Sequence, residues 1–220
     1  MSAYVKTETK YGRPEQSLDI HRFARDLAKA IGGKVIPQKP GEIPNERYAS
    51  IELDGAAISF TAGWGRNEIE KVSVRISALG LNLSYNDMPR GPEFKTPEAK
   101  VSTARPLAAI AADIKRRVID PGKAPIEKLR EHAAACDRQR TDLRATADQL
   151  RKRYPGLSVT VKDDARHSAT FYRNDNKGPY LSGSVGPDGS ASIERIGSLT
   201  PEQFARVMAA LYPVDAKERR

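Results

Sequence analysis

The chain has 220 residues, 39% hydrophobic and 30% charged. That is polar for a folded protein, yet too apolar for a disordered one. A formal charge of +9 favours negatively charged partners such as phosphate backbones or acidic proteins, and it also serves solubility. The single cysteine, Cys136, excludes an intramolecular disulfide and a cysteine-based zinc cluster. No apolar run approaches the roughly 20 residues of a membrane span. The opening Met-Ser-Ala-Tyr-Val-Lys lacks the apolar core of a signal peptide, so no membrane association and a cytoplasmic location are expected.

Residues 1–16 are polar and broken by Gly12 and Pro14, which reads as a flexible arm. Ser17 is a plausible N-cap for a helix whose apolar stripe is Ile20, Phe23, Ala24, Leu27, Ala28 and Ile31. Gly32-Gly33 ends it. A short strand at residues 34–36 leads through a proline-rich loop to strand patterns at residues 48–53 and 57–61. Asp54-Gly55 joins them, the signature of a type I′ hairpin. Val72, Val74 and Ile76 alternate with polar residues as another strand, Leu81 and Leu83 are expected to extend the sheet, and residues 86–106 read as loop. A second helix begins near Pro106 and ends at Asp120-Pro121-Gly122, the expected boundary between modules 17–120 and 121–220.

The second module opens with a helix over about residues 125–154. Ile126, Leu129, Ala133, Cys136, Leu143, Ala147, Leu150 and Tyr154 follow a heptad pattern that Arg140 interrupts. Such a helix is about 45 Å long, more than half a chain can cover, so it packs on the other half or pairs across a homodimer. Strands at residues 157–162, 168–173, 180–185 and 191–196 follow. A last helix starts at Thr200-Pro201-Glu202-Gln203, a capping box with proline at its first position. Phe204, Val207, Met208 and Leu211 would face the core, and residues 213–220 would fray. The fold class is α+β: two helix–antiparallel sheet–helix modules, readable as a structural repeat, joined through the long amphipathic helix.

No catalytic constellation emerges. His21, His132 and His167 lack metal-ligand spacing. Cys136 reads as a core residue, and Ser182-Gly183-Ser184 lacks a nucleophile elbow. Gly63-Trp64-Gly65-Arg66 cannot be a phosphate-binding loop and reads as a hairpin turn. Trp64 either packs down on the sheet or stands exposed beside Arg66 as a stacking residue. No cofactor and no metal are expected.

Basic clusters remain. Lys115-Arg116-Arg117 and Arg151-Lys152-Arg153 close two helices, where cations complement the macrodipole. Lys128, Arg130, Arg138, Arg140 and Arg144 lie further up the long helix, diluted by acidic neighbours as on a solvated face. In topology alone, the αβββα order resembles double-stranded-RNA-binding domains, which grip phosphates with lysines at their second helix. Lys95, Lys100 and Arg105 precede Pro106, but Ser198-Leu199-Thr200-Pro201-Glu202 has no lysine cluster. The expected function is non-catalytic nucleic-acid binding through Trp64, Arg66, Arg116, Arg117, Arg138, Arg140, Arg144, Arg151, Lys152 and Arg153. The alternative is a protein-binding adaptor or inhibitor of the phage or mobile-element kind, acting on an acidic or nucleic-acid-handling partner.

Overall fold

The computed structural model describes residues 2–10, 13–38, 45–65, 68–81, 83–173 and 179–211. The chain is α+β and divides into two compact units, Met1–Ala133 and Ala134–Arg220.

The first unit opens with an antiparallel pair, β1 (Val5–Lys10) and β2 (Arg13–Leu18), where a flexible arm was expected. The pair has little apolar alternation. It is anchored at its base by Tyr4 and Leu18, both buried in the core. Helix α1 (Ile20–Ile31) is capped by Asp19, not Ser17: the Asp19 carboxylate accepts a 2.9 Å hydrogen bond from the Arg22 amide. Gly32 terminates the helix at φ 80°.

Five antiparallel strands follow in sheet order β3 (Lys34–Val35), β4 (Tyr48–Leu53), β5 (Ala56–Ala62), β6 (Lys71–Ala78) and β7 (Glu98–Ser102). The β4–β5 turn is Asp54-Gly55 with φ 51° and 71°, the positive values a type I′ turn requires. Strand β7 lies within the stretch expected to be loop. Its Ala99 and Val101 alternate into the core, and it supplies the fifth strand in place of Leu81 and Leu83. One sheet face, including Ile51, Ile58, Phe60, Val72, Val74 and Ile76, is buried in a core shared with α1 and α2 (Leu107–Ile114).

Asp120-Pro121-Gly122 does not end a helix. Helical structure continues from α2 through a π-turn, residues 115–119, into α3 (Asp120–Arg153). The amide of Asp120 donates to the carbonyl of Lys115, an i to i−5 bond. The wider turn eases the crowding that the Pro121 ring would cause in a regular helix, and no donor is lost at a residue that has none. The division between units therefore falls inside α3, after Ala133, and not at residues 120–122.

In the second unit, β8 (Ser158–Thr160), β9 (Ala169–Arg173), β10 (Tyr180–Val185) and β11 (Ala191–Gly197) form an antiparallel meander. Its core joins Leu143 and Ala147 of α3 to Val159, Ala169, Phe171 and Val185. Helix α4 (Pro201–Leu211) begins with the expected capping box, but it buries no residue. Phe204, Met208 and Leu211 are exposed where core positions were expected, because α3 already covers the central strands. Residues 213–220 lie outside the described residues. A structural repeat is not established. Among the described residues, the first unit has a five-stranded sheet, a separate hairpin and a packed second helix, whereas the second has a four-stranded sheet and a final helix that buries no side chain.

Candidate nucleic-acid interface

In the first unit, a basic strip is assembled from elements far apart in sequence. Asp113, near the end of α2, is only 11% exposed and receives three guanidinium groups. Arg116 Nη2 donates at 2.9 Å, Arg105 Nη1 at 3.1 Å and Arg117 Nη1 at 3.3 Å. The Arg116 hydrogen bond leads these contacts in holding the Asp113 carboxyl below the usual aspartate range. Arg117 also donates to the backbone carbonyl of Lys100 at 3.4 Å, which carries the strip from the helix to β7. Lys100 lies 3.9 Å from Glu68, and Lys71 of β6 donates to the same carboxylate at 2.7 Å. The hydrogen bond from Lys71 lowers the Glu68 pKa.

Arg105, Arg116, Arg117, Lys100 and Lys71 thus share two carboxylates and keep a net positive charge. Each is substantially exposed. Exposed ion pairs of this kind add little stability. They do hold long side chains in place, which lowers the conformational entropy those side chains would lose in any further contact.

At the same sheet end, the amide of Gly63 donates to the Lys71 carbonyl at 2.9 Å, which places Trp64 one residue beyond that pairing. Trp64 is 84% exposed, so it does not pack down on the sheet. The Arg47 guanidinium lies over its ring at 4.8 Å from the centroid. Arg47 also donates through Nη2 to the Ala62 carbonyl at 2.9 Å, which fixes the guanidinium from a second side. These residues border a cleft of about 720 Å³ whose other wall is β2. The outer sheet face carries Tyr48, Ser50 and Ser59, linked hydroxyl to hydroxyl at 2.9 to 3.2 Å.

The expected residues divide accordingly. Trp64, Arg116 and Arg117 come into this region, whereas Arg66 lies outside the described residues. Arg138, Arg140, Arg144, Arg151, Lys152 and Arg153 belong to the second unit, where several have structural partners. Arg151 donates to the Val159 carbonyl at 2.8 Å, tying α3 to β8. Arg140 is largely buried and paired with Asp137 at 2.7 Å. Arg144 reaches the Asp163 carbonyl at 3.5 Å, and Arg153 lies over Tyr154. Lys71 and Arg47 were not singled out in the sequence as binding residues. Lone cations at strand ends carry no local signal that would have marked them.

Among the described residues, no group of three or more His, Cys, Asp and Glu side chains converges as a metal site, and no helix is long and apolar enough to cross a membrane. Compared with known proteins, the chain finds no matching family model, no matching curated protein and no matching solved structure.

Proposed function

We propose that the chain is a non-catalytic nucleic-acid-binding protein whose phosphate-contacting surface is the Arg105–Arg116–Arg117–Lys100–Lys71 strip of the first unit. The observation that carries this reading is the sharing of Asp113 and Glu68 among that surplus of exposed, mutually oriented cations. Such a strip neutralises successive phosphates and releases their counterions, with no reacting group required. The adjoining exposed Trp64, with Arg47 over one face, adds a stacking surface that an ordinary solubility charge pattern would not need.

Fluorescence anisotropy with labelled single-stranded and duplex DNA and RNA tests it. Affinity should fall steeply between about 50 and 200 mM salt, and the log–log slope should lose about 0.7 to 0.9 for each phosphate contact removed. Arg117→Ala and Lys100→Ala should each flatten that slope. Absence of binding to all four polymers at low salt would reject the reading.

One observation favours the second reading, a protein-binding adaptor. Helix α4 exposes Phe204 and Leu211, seven residues apart on one helix face, and buries none of its side chains. Apolar side chains exposed together mark protein interfaces more often than nucleic-acid ones. Under that reading, Phe204→Asp with Leu211→Asp would abolish partner binding, and Arg117→Ala would not.

A further inference from the structure

We infer that the cleft beside Trp64 receives one unpaired, amino-bearing nucleobase, stacked on the tryptophan ring and read by the carboxylates of Glu15 and Glu46. This rests on the nucleic-acid reading above and adds what the basic strip alone cannot give: a preference for single strands and for certain bases.

The argument starts from Trp64. Its 84% exposure leaves ring surface open to a ligand, while Arg47 covers one face at 4.8 Å from the centroid. Arg47 is itself held by its bond to the Ala62 carbonyl, and its amide donates to Asn45 Oδ1 at 3.0 Å. The indole is therefore supported from one side before any ligand arrives. A flat π-system laid on its open side would complete a base–indole–guanidinium sandwich. A base inside a duplex has both faces occupied by its neighbours, so only an unpaired base can do this.

The cleft, about 720 Å³, lies within the range of small-ligand sites. Its lining separates chemically from the strip. Glu15, Gln16 and Ser17 stand on the β2 wall, with Glu46 beside Arg47. In the cleft the two carboxylates are offset by Arg47 and by Lys6 close to Glu46, whereas the strip keeps a surplus of cations, so phosphate is drawn to Lys71 and Lys100. A base edge with an exocyclic amine is favoured, because ionised carboxylates only accept hydrogen bonds. Cytosine N4 is the donor that glutamate commonly reads. Thymine and uracil present carbonyl oxygens on either side of their one ring donor and would meet the carboxylates with like polarity. The pairing of Gly63 with Lys71 brings the two chemistries to the same sheet end, so a strand can lie on the strip and turn one base into the cleft.

Trp64 is the only tryptophan in the chain, so its emission reports on the cleft alone. Oligo-dC, oligo-dT, a duplex of equal length and a short arginine peptide are titrated into the full chain, with anisotropy recorded in parallel. Oligo-dC is expected to quench Trp64 and to bind about ten- to hundred-fold more tightly than duplex, the range a stacked base supplies. Trp64→Ala should bring single-strand affinity down to the duplex level, and Trp64→Phe should recover part of it. Glu15→Gln with Glu46→Gln should remove the preference for dC over dT. Salt-sensitive binding without quenching, equal for single strand and duplex, would overturn the inference and leave the strip reading intact. Quenching by the arginine peptide but not by oligo-dC would overturn it in favour of a cationic side-chain ligand. No nucleic-acid binding at low salt would overturn both.

Discussion

A Cβ placed on Gly122 of α3 would fall 2.6 Å from Cγ2 of Ile76 and 3.6 Å from the Pro97 ring. The helix backbone thus lies directly on the sheet at β6. Alanine there would gain about 1 kcal/mol of helix propensity. It would also force a methyl against Ile76, a core side chain with nowhere to move, and overpacking of this kind costs about 1–3 kcal/mol. Gly122→Ala should therefore lower the urea midpoint with an unchanged slope. A higher midpoint would show that the helix can lift from the sheet without loss.

Pro125 has the opposite expectation. Lacking an amide hydrogen, it leaves the Pro121 carbonyl four residues earlier without its helical donor. Pro125→Ala restores that bond inside an otherwise helical segment. The gain is offset in part by the freer unfolded chain, leaving a net of about 1–2 kcal/mol. At about 2–4 °C per kcal/mol for a chain of this size, the thermal midpoint should rise by a few degrees. An unchanged midpoint would mean that Pro125 sits where the helix had no bond to restore.

These two sites also show what the sequence could and could not reveal. Signals that depend on a few adjacent residues were legible: the positive φ values of Asp54-Gly55, the left-handed Gly32 and the Thr200–Gln203 cap. Asp-Pro-Gly at 120–122 reads as a stop by the same local logic. A π-turn and the contact with Ile76, neither visible in the segment itself, reverse that outcome. The β1–β2 pair was missed because it is polar on both faces, and β7 because prolines crowd the residues before it. Amphipathicity gave α4 an apolar side but could not say whether anything covers it. Arg116 and Arg117 were legible as a cluster. That Asp113 and Glu68 would gather Arg105, Lys100 and Lys71 around them is a property of the folded sheet end alone.

Asp113, itself only 11% exposed, should contribute a small acid-sensitive part of the protein's stability, limited by the exposure of its arginine partners. Its folded pKa is depressed, chiefly by the Arg116 hydrogen bond. Its contribution is therefore complete above the unfolded value, near pH 4, and fades as pH falls through the lower folded value. Thermal midpoints measured between about pH 7 and 2.5 should drop more steeply for the wild type than for Asp113→Asn at the acid end. The same variant loosens three arginines and adds one net positive charge to the strip; at low salt the added charge outweighs the lost orientation, so nucleic-acid affinity there should increase. Parallel stability curves would contradict the first expectation, and weaker binding the second.

The Thr200–Gln203 cap should control α4 and nothing else. The Gln203 amide donates to Thr200 Oγ1 at 3.2 Å, and the Thr200 amide donates to Gln203 Oε1 at 2.9 Å. Losing such a cap costs about 1 kcal/mol. At 11 residues, α4 is shorter than the roughly 12–15 below which an isolated helix is marginal in water. It buries no side chain that could compensate. Thr200→Ala should therefore reduce helical circular dichroism and speed amide exchange across residues 204–211. The thermal midpoint should not move, because the Leu143–Phe171–Val185 core of the second unit does not include α4. A midpoint that falls together with the helical signal would mean that α4 melts as part of that core.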